Sequence, residues 1–518
     1  MVLPPKAAHP EDDSPKSASK PENPSLQVDT FGGKIHVEWE PGAAVTPMGQ
    51  LAFFIQFLKT GYRFEPWVED CPLIYKSNNA PSKTDVLGSF LLSILSGHNR
   101  YAHMTTLIGD GVNSRLLGMK KVVSDDSARR ALKRIDAEEG VVWLQHHLQE
   151  CYEPLLRFPW VMDVDVTVKP LYGHQEGAVK GYNPHKKGRP SHTYHSYMMA
   201  NLKLVLEVEV QPGNQSSSAY SLPGLVELLG RLPLDCWPEF VRGDCDWGSD
   251  PVMSELETLG CHYLFKIKKS SAVRRLIHKA HCSGGWVRYN KDWEGKETEL
   301  KLGSWRQSRR AIVVRRRLPD NANLLLEKKT EDGQQTLALL TGDDDIKKAY
   351  EYSVLVTSLD DDIISLINHY RNRADCENSF DEIKNQWGWG GYTTRDMKRC
   401  RLIARMVALI YNGWTLFVRM SNPDSHKELI TSRPLLMSAV GKLTESGRQK
   451  KLAVSSQHGL MRKVQKLQAE VSEFLNKLRA IAPQLNPVNI WCHILTRAVS
   501  KILNGAPVLA EVGPTNTS

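Results

Sequence analysis

The run of residues 161–168, VMDVDVTV, constrains the fold more than any other part of the chain. Side chains of a strand point alternately to its two faces, so one face here carries only Met and Val, while Asp163 and Asp165 share the other. Two carboxylates on one face of a buried strand repel each other unless a cation compensates them. The run therefore predicts a strand whose acidic face either holds a cation or is simply exposed to solvent.

Strand and helix patterns alternate after this strand. The patterns are strands at 194–200, 204–210, 240–244 and 263–267, and helices at 222–232 and 251–259. This order is typical of an α/β fold with a mixed sheet. The strand at 240–244 ends on Asp244, and Asp246 follows in a turn, so the predicted sheet has a second acidic position.

A third polar pattern follows a predicted strand at 352–357. If residues 370–384 form one helix, four polar side chains fall within an arc of roughly 60°: Tyr370, Arg373, Glu377 and Lys384. A carboxylate among cations suits the binding of a metal ion beside a phosphate, but most patterns of this kind are solvated, salt-bridged surfaces. The stretch alone leaves both interpretations open.

Positive charge is concentrated between residues 266 and 317. This segment has sixteen Lys and Arg against four Asp and Glu, a net charge of +12, whereas the whole chain carries +9. Trp286, Trp293 and Trp305 lie among the basic residues. Cations neutralise phosphates and aromatic rings stack on bases, so residues 269–349 are predicted to be a β-rich insertion that contacts nucleic acid. The alternative is a β meander with a charged outer face.

Other segments flank the predicted sheet. Residues 1–33, rich in Pro, Ser, Lys and Asp, are predicted to be a disordered tail, and residues 34–150 a helical DNA-binding domain. Within that domain Ser124 precedes a basic helix that would read DNA ends in a helix-turn-helix, although a solvated basic face is the simpler interpretation. Residues 396–508 are predicted to be a helical C-terminal domain.

The composition excludes several classes of protein. Nine cysteines are scattered without a CxxC pair, so neither a zinc ribbon nor a disulfide scaffold is expected. Reduced thiols indicate a cytoplasmic protein. The chain has no run of about 20 apolar residues, so we expect no membrane partner.

The acidic positions together suggest one kind of chemistry. Transfer or hydrolysis of a phosphodiester uses two divalent ions about 4 Å apart. Mg²⁺ and Mn²⁺ prefer carboxylate oxygens, and a few acids from different elements suffice to bind them. The candidate ligands of two such ions are Asp163, Asp165, Asp244, Asp246 and Glu377.

The same residues resemble a known family. The spacing Tyr370-x2-Arg373-x3-Glu377-x6-Lys384 is similar to the signature of a large branch of bacterial insertion-sequence DDE transposases. Within that branch the chain resembles the thirteen-eighty family over about residues 45–500. The residues that carry this second resemblance are 163–167, the loops 172–178 and 181–191, and Arg242-Gly243-Asp244.

The resemblance implies a ribonuclease-H-like catalytic domain, formed by residues 158–268 and 350–395, in which two Asp and one Glu hold two Mg²⁺ ions. It also implies cut-and-paste DNA transposition: cleavage at terminal inverted repeats, followed by attack of the freed 3′-hydroxyl on other phosphodiesters. The expected partners are double-stranded DNA, as terminal repeats and as target, and a second copy of the chain in a homodimeric synaptic complex.

The resemblance also selects among the acids. The family pattern has a Thr two residues after the first Asp, which favours Asp165. The second acid is Asp244, which directly follows Arg-Gly, and the signature itself supplies Glu377. Three further acids are kept in reserve: Asp163, Asp246 and Asp381.

Further residues are expected to contact DNA. The signature implies that Tyr370, Arg373 and Lys384 bind phosphates near the cleaved strand. The other expected contacts are Lys187, Arg189, Arg315, Arg316, Arg317, Arg129, Arg130 and Trp305. Two other functions stay open: a ribonuclease-H-like nuclease without strand transfer, and an inactive DNA-binding descendant, against which the presence of all three acidic positions argues.

Overall fold

The computed structural model describes residues 26–38, 40, 42–183, 186–318, 350–422, 426–455 and 458–509. The chain divides into two compact units, Met1–Ala44 and Val45–Ser518. In the first unit, β1 (Leu26–Thr30) and β2 (Gly33–Val37) form an antiparallel hairpin. Gly33 has a φ of +106°, which only glycine adopts readily, so the glycine makes this tight turn possible.

Part of the segment that was predicted to be a disordered tail belongs to the hairpin. Residues 1–25 of that tail lie outside the described residues. Residues 26–33, in contrast, form the first strand and the turn of the hairpin. The sequence did not indicate these strands, because each is only five residues long, too short for its alternation to stand out beside the polar residues before it.

Helices dominate the start of the second unit. Its first elements are β3 (Val45–Thr46), α1 (Leu51–Thr60), α2 (Glu65–Glu69), α3 (Lys83–Leu95), α4 (Asn113–Leu116), α5 (Asp125–Arg134) and α6 (Ala137–Tyr152). The predicted basic helix is α5, and the Ser124 hydroxyl accepts a hydrogen bond from the backbone N–H of Ser127 as its N-cap. Leu132 and Ile135 are buried, so the basic side chains lie on the outside.

The sheet region follows the predicted order of strands and helices. Its elements are β4 (Val161–Pro170), β5 (Val179–Lys180), β6 (Pro190–Met199), β7 (Leu204–Pro212), α7 (Ser218–Gly230), β8 (Phe240–Gly243), α8 (Asp250–Leu259), β9 (Tyr263–Lys266), α9 (Ser271–Cys282), β10 (Val287–Arg288), β11 (Trp293–Leu300), β12 (Arg309–Arg317) and β13 (Tyr350–Thr357). The alternating run 161–168 is β4. Its Met162 and Val164 are buried on one face, as the alternation predicted.

One mixed sheet contains all ten of these strands. The order is β10-β11-β12-β13-β9-β8-β4-β6-β5, and β7 also pairs with β6. β4, β8 and β9 run parallel, while β6 and β7 pair antiparallel on one side and β13 pairs antiparallel with β9 on the other. The expected mixed α/β sheet is therefore present.

The predicted insertion is an extension of this sheet in its described part. β10, β11 and β12 are joined through β13 to β9, so residues 287–317 continue the sheet instead of forming a separate β layer. Residues 319–349 of the predicted insertion lie outside the described residues. Short β-like runs cannot distinguish these two arrangements, because strand pairing depends on residues distant in sequence.

Helices and one more hairpin complete the second unit. These elements are α10 (Ile363–Arg371), α11 (Arg373–Gln386), α12 (Met397–Ser421), α13 (Leu429–Leu436), β14 (Val440–Ser446), β15 (Gln449–Ser455), α14 (Met461–Ile481) and α15 (Pro487–Val499). β3, β14 and β15 form a small antiparallel sheet. Within the described ranges, every helix is too short or too polar to cross a membrane.

Both helical segments share their core with the large sheet. One continuous cluster of buried side chains runs from Met48 through the sheet to Val508. α12 lies at its centre and packs against α6, β7 and α15. The predicted segments 34–150 and 396–508 therefore lack cores of their own in the described part of the chain.

Candidate active site

Two neighbouring strands bring two of the acids together. β4 and β8 are parallel, and their register pairs Asp163 with Arg242. Two residues further along both strands stand Asp165 and Asp244, and adjacent strands lie about 4.8 Å apart. The two acids are therefore neighbours at the carboxyl end of β8.

Arg373 links the third acid to this pair. Its buried guanidinium donates through Nη2 to Oδ1 of Asp165 over 3.2 Å, and through Nη1 to Oε1 of Glu377. Asp165, Asp244 and Glu377 line one cavity of about 230 Å³. The remaining lining residues are Thr167, Arg373, Phe380, Asp381 and Lys384.

The surroundings of Asp165 change the proton affinity of its carboxyl. Burial raises the pKa of the Asp165 carboxyl to about 6. The Arg373 guanidinium opposes this shift, whereas the carboxylates of Asp244 and Glu377 add to it. A bound cation would relieve the repulsion among these three closely spaced carboxyls.

The donor set suits a hard divalent ion by its chemistry. Carboxylate oxygens are the ligands that Mg²⁺ and Mn²⁺ prefer, and the cavity supplies them from three elements. In this conformation the Arg373 guanidinium lies between Asp165 and Glu377. No three His, Cys, Asp or Glu side chains in the described part of the chain are arranged to hold a metal ion. The residue types therefore fit such an ion. For the carboxylates to bind it together, the Arg373 guanidinium would have to move away from Asp165 or Glu377.

Tyr370 belongs to a different helix from the rest of the signature. The predicted single helix is interrupted: α10 ends at Arg371 and α11 begins at Arg373, with Asn372 between them. The last turn of α10 therefore carries Tyr370, while α11 carries the other three signature residues. The spacing of the signature did not reveal the interruption, because Asn372 keeps φ and ψ near helical values, at −63° and −10°.

A second cavity adjoins the first. It has a volume of about 530 Å³ and shares Arg373 and Glu377 with the smaller cavity. The other lining residues include Lys266, Tyr289, Trp293, Tyr370 and Arg371. The Arg371 guanidinium lies 5.3 Å from the ring centre of Tyr289 and 5.0 Å from that of Trp293. Aromatic and cationic side chains thus extend from Glu377 towards β11.

The three reserve acids lie in different surroundings. Asp163 is fully buried, and both of its carboxylate oxygens accept hydrogen bonds from Arg242. Asp246 accepts a hydrogen bond from the backbone N–H of Ser218 over 2.7 Å, and burial raises the pKa of its carboxyl. Asp381 lines the smaller cavity and accepts a hydrogen bond from Asn385 Nδ2 over 2.7 Å.

Several expected DNA contacts are exposed. Lys187 and Arg189 lie in the loop between β5 and β6, and the Arg189 guanidinium stands 4.7 Å from the ring centre of Tyr172. Lys384 lines the smaller cavity, and Arg316 and Arg317 are exposed at the end of β12. On α5, Arg129 and Arg130 form ion pairs with Asp125 and Asp126 one turn earlier.

Two expected DNA contacts are instead engaged inside the protein. Trp305 is 5% exposed, with the Arg309 guanidinium 5.3 Å from its ring centre, so it cannot stack on a base in this conformation. Arg315 is ion-paired with Glu294 at 2.6 Å. The same guanidinium lies 4.0 Å from the ring of Trp286 and 4.6 Å from that of Tyr350. Local composition predicted the basic and aromatic mixture, but not which cation packs on which ring.

Two features of the site were missed at the level of sequence. Arg242 stands two residues before Asp244, just as Asp163 stands two residues before Asp165, and this parallel spacing was the available signal for their pairing. The aromatic lining of the larger cavity comes from Tyr289 and Trp293. Trp293 was among the three interleaved tryptophans, but no local pattern set it apart from Trp305.

Comparison with known proteins identifies the family. A model of one family, described as transposase DDE domain group 1, matches residues 82–476, a range that includes Asp165, Asp244 and Glu377. None of the curated proteins compared with the chain matches it. Among solved structures, the chain is similar to the piggyBac transposase synaptic complex with hairpin DNA, determined by cryo-EM. The identity is 10% and the TM-score 0.37, over 90% of this chain and 87% of that one. The chain belongs to the DDE transposase family of group 1.

Proposed function

We propose that this transposase cleaves DNA at terminal inverted repeats, with Mg²⁺ or Mn²⁺ as cofactor, and joins the freed 3′-hydroxyl to target DNA. The observation that supports this most is the smaller cavity, where carboxylates from β4, the turn after β8 and α11 meet two cations, Arg373 and Lys384. Carboxylates for metal ions and cations for phosphate are the two groups that phosphodiester chemistry needs. The match to the thirteen-eighty family remains part of this proposal.

The proposed catalytic domain is ribonuclease-H-like. Three antiparallel strands, β4, β6 and β7, precede two strands, β8 and β9, that run parallel to β4 and are separated from each other by α8. An acid lies on the first strand and another directly after the fourth, in line with this assignment. The extension β10–β13 would then support α10 and the third acid from one side of the sheet.

Asp165, Asp244 and Glu377 would hold the two divalent ions. When bound, such ions activate the attacking oxygen and stabilise the charge that develops on the leaving oxygen. Arg373 has to give up contacts to Asp165 or Glu377 for this, and its planar N–H groups then suit a phosphate oxygen. Burial raises the pKa of the Tyr370 phenol, so its hydroxyl stays protonated at neutral pH and can donate a hydrogen bond to the same phosphate.

The DNA would approach along the basic surfaces around the cavities. Lys187 and Arg189 in the loop before β6, and Arg316 and Arg317 at the end of β12, are exposed candidates for phosphate contacts. Two copies of the chain would hold the two ends of the element together, because each copy has one such cavity in its described part and an element has two ends.

Substitution of the three acids tests the proposal. We expect that Asp165→Asn, Asp244→Asn and Glu377→Gln each abolish metal-dependent cleavage of DNA that carries the inverted repeats flanking the reading frame. DNA binding should persist, because each amide keeps the size and shape of the acid. Cleavage is followed on gels and binding by fluorescence anisotropy.

Asp381→Asn is the matched control, because Asp381 lies one turn beyond Glu377 and lines the same cavity. We expect this variant to cleave at close to the wild-type rate. Full cleavage by the Glu377→Gln variant would contradict the proposal. Cleavage by the wild type without any joined product would identify a nuclease, and binding without cleavage would identify an inactive descendant.

A further inference from the structure

A buried ion pair joins β4 and β8, which lead to two of the cavity acids, and also bonds to α10, the helix before the one that carries Glu377. The side chains of Arg242 and Asp163 are 4% and 0% exposed. Arg242 donates through Nε to Oδ1 of Asp163 over 2.6 Å, and through Nη2 to Oδ2 over 2.8 Å. Its remaining nitrogen, Nη1, donates to the backbone carbonyl oxygen of His369. One guanidinium thus bonds to β4 and α10 while it is anchored on β8.

Each partner stands a short distance along the chain from a cavity acid. Asp165 follows Asp163 by two residues on β4, and Asp244 follows Arg242 by two residues at the end of β8. Glu377 lies two turns of helix beyond His369, past the interruption at Asn372. The guanidinium is therefore bonded at points two residues before Asp165 and eight residues before Glu377, and it belongs to the residue two positions before Asp244.

We propose that Arg242 and Asp163 are positioning residues that set the mutual placement of Asp165, Asp244 and Glu377 for metal binding. This inference rests on the proposed function of those three acids. A planar, bidentate pair restricts both distance and orientation, which a single hydrogen bond does not. The third bond, to the His369 carbonyl, extends the restriction to α10, which has no backbone pairing with the sheet.

The pair is better suited to specifying geometry than to adding stability. The cost of removing two charges from water offsets most of the attraction of a buried ion pair, and well-packed apolar residues of similar volume often replace such a pair without loss of stability. Removing one partner alone leaves an uncompensated buried charge, which is strongly destabilising. A double replacement therefore separates positioning from folding better than any single replacement.

The hydrogen bonds from Arg242 also explain why Asp163, one of the reserve acids, differs from Asp165. Both oxygens of Asp163 are engaged by Arg242, so its charge is compensated within the protein. Asp165, on the same face of the strand, opens instead to the cavity. Asp163 and Asp165, which the alternating run did not distinguish, therefore have different roles in this proposal. Asp163 orients the metal-binding residues, and Asp165 binds the metal ion.

The decisive variant is the double replacement Asp163→Leu with Arg242→Met, studied in the full-length protein beside the single variant Arg242→Lys. Mn²⁺ binding is measured by electron paramagnetic resonance without DNA, and cleavage is measured as kcat and KM for terminal-repeat DNA. We expect Mn²⁺ affinity to fall by about 10- to 100-fold, as is usual when residues that orient metal ligands are lost. We expect kcat to fall while KM for DNA stays near the wild-type value.

Arg309→Lys is the matched control. Arg309 is also a buried guanidinium with two bonds to a carboxylate, Glu257, and one to Asp250, but none of these residues lines either cavity of the site. The Arg309→Lys substitution should lower thermal stability and leave Mn²⁺ affinity unchanged. Circular dichroism and thermal unfolding establish that each variant is folded.

Two results would overturn the inference. One is wild-type Mn²⁺ affinity in a folded double variant. The other is a loss of affinity in Arg309→Lys equal to that in Arg242→Lys, since it would mean that any lost buried pair weakens the site. Failure of the proposed function is recognised separately, because Glu377→Gln would then bind Mn²⁺ and cleave DNA like the wild type.

Discussion

The Arg373 guanidinium is bonded to two of the cavity acids and, within the described residues, keeps one N–H donor unused. Its guanidinium is bonded to Asp165 and Glu377, while its Nε has no hydrogen-bond partner in the described part of the chain. A guanidinium has five N–H donors, and a buried donor without an acceptor costs about 1–3 kcal/mol. A phosphate oxygen would satisfy this donor, which supports the proposed contact of Arg373 with DNA.

Lys169 gives the protein a pH-dependent stability. It is buried on β4, where it donates hydrogen bonds to the Tyr194 hydroxyl, over 3.1 Å, and to the Gly391 carbonyl oxygen. Burial lowers the pKa of its ammonium group from 10.5 to about 8, and Cys400 opposes the shift. His192 and Tyr194 are further titratable groups beside Lys169. The unfolded chain keeps this proton up to about pH 10.5, so stability rises with pH between about 8 and 10.5.

We therefore expect Lys169→Met to gain stability over the wild type near pH 7 and to lose this advantage near pH 10. The difference in free energy of unfolding should change by up to about 1.4 kcal/mol per pH unit within that window. Denaturant unfolding across the window measures it, with Lys279→Met, an exposed lysine on α9, as the control. A difference that does not vary with pH would contradict the prediction.

At the scale of elements, β12 divides its arginines between two tasks. Arg315 is 14% exposed, ion-paired with Glu294 and enclosed by two aromatic rings, whereas Arg316 points to the opposite face and is exposed. Alternation along a strand separates neighbouring residues in this way. The basic run that looked uniform in sequence therefore has one arginine engaged inside the protein beside one that is exposed to solvent.

We expect Arg315→Ala to lower the free energy of unfolding by about 1–3 kcal/mol, since it removes a cation–π contact and a half-buried ion pair. It should leave the salt dependence of DNA binding unchanged. Arg316→Ala should retain stability and reduce the slope of log K against log salt by about 1. Anisotropy titrations at several salt concentrations measure both slopes, and equal slopes for the wild type and Arg316→Ala would exclude a phosphate contact at that position.

The close packing of α10 against the sheet depends on Gly295. A Cβ at Gly295 on β11 would lie 2.5 Å from Cγ2 of Ile363 and 2.7 Å from Cδ1 of Ile367. Ile367 and Leu366 pack in a cluster with side chains of β8, β9, β12 and β13. Because α10 ends just before α11, any shift of α10 moves Glu377 relative to the strand acids.

Gly295→Val should therefore reduce the rate of cleavage more than DNA affinity, with a loss of stability of about 1–3 kcal/mol from overpacking. Gly303→Val is the control, because no atom lies within 4 Å of a Cβ at that position. Single-turnover cleavage and anisotropy measure the two effects. A wild-type cleavage rate in folded Gly295→Val would show that α10 does not position the site.

At the scale of the whole molecule, α12 unites segments that the sequence presents as separate domains. Asn412 accepts a hydrogen bond from the backbone N–H of Val205 and donates one to its carbonyl oxygen, both over 2.8 Å. Arg405 is ion-paired with the buried Glu207 at 2.9 Å. These polar contacts attach α12 to β7 inside the shared core. Without α12, the side chains of β7 that pack against it would be exposed to solvent.

We therefore expect the fragment 158–395, which contains the predicted catalytic domain and ends before α12, to be insoluble or to unfold without cooperativity. Exposure of the apolar side chains of β7 is the physical reason. The fragment 45–509, which keeps the shared core, is the control and should unfold cooperatively. Circular dichroism during thermal unfolding compares the two, and a cooperative transition in 158–395 would contradict the prediction.

Much of the fold was accessible from local patterns. The alternation in 161–168, the cap at Ser124 and the order of strands and helices after β4 all correspond to elements of the structure. Local patterns succeed here because burial alternates with the same period as side-chain direction, and because a helix cap acts within four residues. The family was likewise accessible from the spacing in 370–384, which lies within the range of the family match.

The sequence by itself determined that this chain has a mixed α/β sheet, acids on one strand, directly after another and on a later helix, and membership of the DDE transposases. Only the tertiary structure decided that Asp163 is compensated by Arg242 while Asp165 opens to the cavity, and that Trp305 is buried while Trp293 lines the larger cavity. It also decided that the basic segment extends the sheet. The reason is physical: residue type and spacing fix which groups share a face, whereas the choice of partner depends on side chains that approach from distant parts of the chain.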